Sequence, residues 1–294
     1  MSDRDPTNPN LSAILGAIET AVTPATFAWL REGVEQLARG LRDPDDRLDQ
    51  LATRSAGALR RLGGESLRDA ALPLATSCGT IDAGRWSRGD AGRACLLLAA
   101  TDHGAQDWNA LVRSYFRRGD EVERAAAVRA LCLLPEPCAL RNLALEAGRI
   151  NSMRLYAALA LDNPYPAACY DEHAFNQVVL KCLFNGLPIE RISGLLRRAN
   201  PELSRMCEDY VAERVAAGRG VPSDVWLALE PHATARGLAL TLEYLEHPEP
   251  SHRLYAVRAL ARRRVDARIT AALAERLDHE DNDIVRRALA AACD

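Results

Sequence analysis

Residues 123–134 read ERAAAVRALCLL, and residues 252–260 read HRLYAVRAL. Laid over one another, Arg124/Arg253, Ala127/Ala256, Val128/Val257, Arg129/Arg258, Ala130/Ala259 and Leu131/Leu260 coincide. The same shape returns in GRACLLLAA (92–100), SMRLYAALALD (152–162) and DIVRRALAAA (283–292). Each has an arginine, then small and aliphatic residues at i+3, i+4 and i+7, which is helical periodicity. Such helices are too short to hold alone in water. Their alanines let neighbours approach closely, and an arginine stem can cover apolar surface while its head seeks an acid. Repetition at this scale reads as HEAT-type helical hairpins. The fold class expected is all-α: an α-solenoid of HEAT-like hairpins with an irregular central helical insertion.

Composition agrees. Of 294 residues, 48% are hydrophobic and 26% charged, so the chain buries a real core and is not disordered. Net charge is −3, acids and arginines are interspersed, and aromatics are 5%, which argues against a nucleic-acid surface. No run of about 18 apolar residues is present, so a membrane-spanning helix is not expected. The polar start MSDRDPTNPN has neither a basic nor an apolar leader region. The cysteines (78, 95, 132, 138, 169, 182, 207 and 293) form no C-x-x-C pair. Their spacing suits neither zinc nor a disulfide framework, so buried thiols in a reducing cytoplasm are expected.

Along the chain we expect a mobile lead at 1–9 and an N-terminal helical cap at 10–73. That cap has helices near 11–25, 26–40, 45–62 and 65–72, with Asp43-Pro44 a start and Gly63-Gly64 a stop. A loop is expected over 74–92. The solenoid would fill 74–294, including the central segment 163–222.

That segment breaks the repeat. Pro164 and Pro166 push Asn163 and Tyr165 toward extended angles. A helix capped by Asp171 should run to Asn185-Gly186, a short one should follow Pro188 to about 198, and a third should start at Asn200-Pro201 and end at Gly218. On the first wheel, Phe175, Val178, Val179, Cys182 and Leu183 take one side. Asn176, Gln177, Lys181 and Asn185 share the other with Leu180 and Phe184. Lys181 is the one lysine in the chain, and a compact ammonium differs from a guanidinium in what it can do. This mixed face suits a groove for something partly apolar; packing on a neighbouring helix, with the amides bonded to backbone, is the structural alternative. On the third helix, Arg214 falls within the stripe Leu203, Met206, Cys207, Tyr210 and Val211, so it must pair or snorkel out near Gly218. Glu202, Arg205, Asp209 and Glu213 line an adjacent side. The candidate ligand- or partner-binding residues are Asn163, Tyr165, Asn176, Gln177, Lys181, Arg205, Asp209, Tyr210, Glu213 and Arg214.

No chemistry-bearing motif stands out. His103, His173, His232, His247, His252 and His279 lack metal-ligand spacing, and no phosphate loop, nucleophile elbow or dinucleotide fingerprint occurs. No catalytic residue, metal or cofactor is assigned.

Three stretches carry a family resemblance: FNQVVLKCLFNG (175–186), RANPELSRM (198–206) and DYVAERVAAGRGVP (209–222). Together with DWNALVRSYFRRGDEVERAAAVRALCLLP (107–135), they resemble the EboA family over roughly 85–225. Cys169, Cys182 and Cys207 depart from its pattern without touching the polar positions. The resemblance implies a cytoplasmic protein of a bacterial operon for secondary-metabolite traffic and export. Its partners would be other proteins of that operon, a membrane prenyltransferase among them, and a small aromatic or prenylated metabolite; nucleic acid is not implied. The expected function is therefore a non-enzymatic scaffold or carrier. Two alternatives stand beside it: an enzyme of the same pathway using Lys181 or the Asp209/Glu213 pair, and a HEAT-type nucleic-acid binder.

Overall fold

The computed structural model describes residues 8–39, 43–101, 107–263 and 266–293. Most of the lead expected at 1–9, and His103, lie outside them. The described chain is all-helical apart from one small hairpin, and it forms two compact units, up to Tyr170 and from Asp171 onward.

In the first unit, α1 (Pro9–Ala21) and α2 (Pro24–Ala38) begin two residues before the starts expected at 11 and 26, so Asn8, as its cap, and Pro9 belong to the first helix and not to the lead; α3 (Pro44–Leu62) begins at Asp43-Pro44 as expected. Each has proline in its first turn, and Asn8, Thr23 and Asp43 accept backbone N–H bonds as N-caps. They pack on α4 (Arg88–Thr101), whose residues from Gly89 onward are all buried. Gly92 permits this: a Cβ there would collide with Leu62 Cδ1. Beside it, buried Asp90 accepts from Arg129 Nη1 at 2.6 Å and pairs with buried Arg93 at 3.5 Å.

The helix expected at 65–72 and the loop expected at 74–92 are not what forms. Gly63, at φ +92, ends α3, and Leu67 and Arg68 donate backbone bonds to Trp86 and Gly84 instead of continuing a helix. The chain then makes β1 (Pro73–Thr76) and β2 (Gly79–Asp82), antiparallel with Leu74 opposite Ile81. Both of those side chains are buried. Two facing apolar residues and a Gly79 that reaches φ +133 suffice for a hairpin.

Next come α5 (Trp108–Arg118), α6 (Glu121–Ala130), α7 (Arg141–Arg149), α8 (Met153–Ala160) and α9 (Tyr165–Cys169). A capping box between Asp120 and Glu123 starts α6, which packs on α4 and α8. Tyr165 is helical, not extended as expected, because Pro166 falls in the first turn of α9, where its missing N–H costs nothing.

The cysteines give another correction. Cys138 and Cys169 are joined in a disulfide. Spacing could not show it, since their 31-residue separation says nothing of how the fold brings the ends together. Cys78, Cys95, Cys132, Cys182 and Cys207 are buried free thiols, and Cys293 is exposed.

The second unit holds α10 (Glu172–Phe184), α11 (Pro201–Ala216), α12 (Trp226–Leu229), α13 (Ala235–Glu243), α14 (Pro250–Leu260), α15 (Ala267–His279) and α16 (Asp283–Cys293). Asp171 and Asn200 cap α10 and α11 as read. No α-helix forms over 188–198. A 3-10 turn at Ile189–Arg191 leads into successive turns, because Gly194 adopts φ +77.

Of the aligned arginines, Arg124 and Arg253 behave alike. Arg124 donates to the carbonyls of Phe116 and Arg117, and Arg253 to those of His247 and Pro248. Each side chain satisfies carbonyls of the segment just before its own helix.

Candidate binding groove of the second unit

The turns at 188–198 form one bank of an open groove of about 720 Å³. Its floor and opposite bank come from Leu227 on α12, from Val257 and Arg258 on α14, from Ala261 and Arg262 just beyond α14, and from Ala288, Ala291 and Ala292 on α16. Small side chains on α16 leave the space; Ile192, Leu195 and Val257 are buried and make it apolar. Three arginines, Arg197, Arg258 and Arg262, line it against one acid, Glu190.

The polar rim is organised. Glu190 accepts from Arg258 Nη1 at 3.2 Å and from the Tyr255 hydroxyl. Burial, then the bond to Glu190 and its charge, push the Tyr255 phenol up to about 12, so it stays a neutral donor. The Arg258 guanidinium lies 5.3 Å over the Tyr255 ring.

The loop bank is anchored from behind. Asp224, buried beside α12, accepts the Ile189 N–H at 2.7 Å. At the far end, Asn176 and Asn200 exchange two amide bonds, at 3.2 and 2.9 Å, and Asn200 also donates to the Arg198 carbonyl. The Arg198 guanidinium sits 4.9 Å from the centre of the Phe175 ring. On the opposite bank, Glu230 follows α12 and meets Arg263 Nε at 2.7 Å, next to groove-lining Arg262.

Glu230 is 1% exposed, and burial, only partly offset by Arg263, raises its carboxyl to about 7. The folded state therefore holds a proton that the unfolded chain has released above about 4.5. Its contribution to stability is complete below pH 4.5 and lost as pH rises through 7, about 3 kcal/mol over that window. Glu230→Gln should abolish this part of the pH dependence; urea unfolding of both proteins at pH 5 and pH 8 measures it.

None of the ten sequence candidates lines the groove. Asn163 and Tyr165 lie in the first unit and are fully employed. Asn163 Nδ2 donates to the carbonyls of Val128 and Ala158, its Oδ1 accepts from Tyr165 N–H and Cys132, and the Tyr165 hydroxyl donates to Pro137 O at 2.8 Å. Asn176 is buried as the loop anchor just described. Gln177 is exposed and Lys181 half-buried on α10. Arg205 bridges Glu202 and Asp209 on the exposed side of α11, with Glu213 exposed one turn on. Tyr210 donates to the Leu183 carbonyl at 3.3 Å, tying α11 to α10. Arg214 does snorkel: Nε donates to Gly220 O at 2.7 Å, just past Gly218, and the guanidinium lies over the Tyr210 ring.

The groove roles of Arg258, Arg262 and Ala288 are not legible in the sequence, because their periodicity reads as ordinary repeat surface. The available signal was the alanine-rich end of α16, which has too little volume to fill its own face.

The family model described as "Metabolite traffic protein EboA" matches residues 11–230. The chain belongs to the EboA family. No curated protein and no solved structure is significantly similar to it. The EboA match takes in the loop bank and Leu227, and it ends before the bank formed by α14 and α16. Among the described residues, no helix is long and apolar enough to cross a membrane.

Proposed function

We propose that this EboA-family protein is a non-enzymatic binding protein of metabolite traffic, and that the groove of its second unit holds an amphipathic, anionic metabolite. The carrying observation is the pairing of an open groove of about 720 Å³, apolar along its floor, with three guanidinium groups along its lining. That volume lies within the range of small-molecule sites. The apolar floor would take an aromatic or prenyl body, and Arg258 and Arg262 a carboxylate or phosphate head. In this reading the protein acts in the cytoplasm with other products of its operon, a membrane prenyltransferase among them. The exposed α10–α11 polar groups, Gln177, Arg205, Asp209 and Glu213, are the surface offered to such partners. The matched roles of Arg124 and Arg253 support HEAT-type hairpins of an α-solenoid within each unit.

The test uses 8-anilinonaphthalene-1-sulfonate, an aromatic body with one fixed negative charge, and geranyl diphosphate as competitor. Micromolar binding displaced by geranyl diphosphate is expected. Ala288→Trp, which fills the groove, and Arg258→Glu, which reverses its charge, should each weaken binding at least tenfold. Unchanged affinity in both folded variants would refute the assignment.

A further inference from the structure

Four sulfurs gather in the first unit, well away in sequence from the groove. Cys138 and Cys169 are bonded, and they join the 3-10 turn Pro137–Leu140 to α9. Cys78 lies in the turn between β1 and β2, with its Sγ 3.9 Å from Cys169 Sγ. Contact between the hairpin tip and Pro164 places it there: a Cβ on Gly79 would lie 3.3 Å from Pro164 Cβ. Cys132 completes the group, hydrogen-bonded to Cys78 and 3.4 Å from Asn163 Oδ1. Exposure is graded across the cluster: Cys138 is exposed, while Cys169, Cys78 and Cys132 are buried.

We propose that Cys78, Cys169 and Cys138 form a thiol–disulfide exchange relay that moves an S–S bond between the protein surface and the hairpin. The Cys78 sulfur, as thiolate, attacks Cys169 Sγ. The Cys138–Cys169 bond breaks as the Cys78–Cys169 bond forms. Cys78 is oxidised and Cys138 reduced, and the proton given up by Cys78 passes through solvent to the departing Cys138 thiolate. Protons and electrons balance within the chain, so no outside oxidant is required. Exchange of this kind needs an attacking thiolate within reach of one sulfur and an accessible leaving thiol. Cys169 is the sulfur within reach, and exposed Cys138 is the leaving group. The hydrogen bond with Cys132 lowers the Cys78 thiol below its ordinary value despite the opposing effect of burial. The product presents a free thiol at residue 138, a modification site that the disulfide form conceals.

The test is trapping without reductant. Cys293, the exposed free thiol, is replaced by serine so that it cannot open the bond in a second molecule. The oxidised Cys293→Ser protein is incubated with N-ethylmaleimide at pH 8, and its peptides are mapped by mass spectrometry. Maleimide should accumulate on Cys138 in molecules carrying a Cys78–Cys169 link. Adding Cys78→Ser should reduce that labelling at least tenfold, with circular dichroism reporting the fold. Absence of label on Cys138, or equal label with and without Cys78, overturns the relay. Should Cys78→Ser fail to fold, Cys138→Ser treated with oxidised glutathione decides. A Cys78–Cys169 disulfide supports the relay; Cys169 left free or glutathionylated beside reduced Cys78 ends it.

Discussion

Glu280→Ala is expected to cost about 3–5 kcal/mol of stability, the range for removing one partner of a buried pair. The Glu280 side chain is fully buried. Its Oε1 accepts from Arg253 Nη2 at 2.6 Å and from the Asn282 N–H at 2.8 Å; its Oε2 accepts from Arg253 Nε at 2.8 Å and from Arg276. Truncation leaves Arg253, whose side chain is 7% exposed, with the His247 and Pro248 carbonyls and a longer 3.3 Å contact to the exposed Asp281. Burial alone would raise the Glu280 carboxyl. The bonds from Arg253, the Asn282 N–H and Arg276 outweigh it and hold the group down to about 2. A depressed folded value stabilises above the unfolded value of 4.5 and is lost as pH falls from there through 2, about 3 kcal/mol in all. Urea unfolding at pH 7 and pH 3 checks both statements. A Glu280→Ala protein unfolding at the same urea concentration as the parent at pH 7 would contradict the first.

Asp90→Ala should be as damaging in the first unit, again about 3–5 kcal/mol. The Arg93 side chain is 3% exposed on a helix buried on every side, so losing the carboxylate leaves a cation that cannot reach water. Arg129 loses its 2.6 Å partner as well. Adding Arg93→Met should recover much of the loss, since an apolar group of similar length removes the stranded charge. Urea midpoints of the single and double variants measure this. If the double variant were no more stable than Asp90→Ala, cation burial would not be the cause.

Both acids were hard to see in the sequence. Asp90 reads as a member of a loop, and Glu280 as one of several acids before a repeat helix. Local signals were legible where the chain decides locally. Asp43-Pro44, Asn200-Pro201 and Asp171 mark the starts of α3, α11 and α10 as read, whereas α1 and α2 start at Pro9 and Pro24, two residues before the starts read at 11 and 26. The expectation that the repeated arginines seek an acid holds for Arg253, which reaches Glu280, whereas Arg124 bonds backbone carbonyls. The sequence was opaque where distant segments decide. The hairpin at 73–82 is stabilised by one buried cross-strand pair and by packing, not by a long alternating run. The turns at 188–198 depend on a left-handed Gly194 and on Asp224, 35 residues from the N–H it holds. The polar face of α10 was read as a binding surface, yet Asn176 spends its amide on Asn200 and supports the loop that forms the groove.

The end of the family match runs through the groove. Residues 190–197 and Leu227 fall within the stretch matched by the EboA model, whereas Val257, Arg258 and the α16 alanines fall beyond it. A chain that retained the first set and exchanged the second would keep one jaw of the vise while refitting the other. Under the function proposed above, specificity would then change through two short helices, with the disulfide-bearing unit untouched.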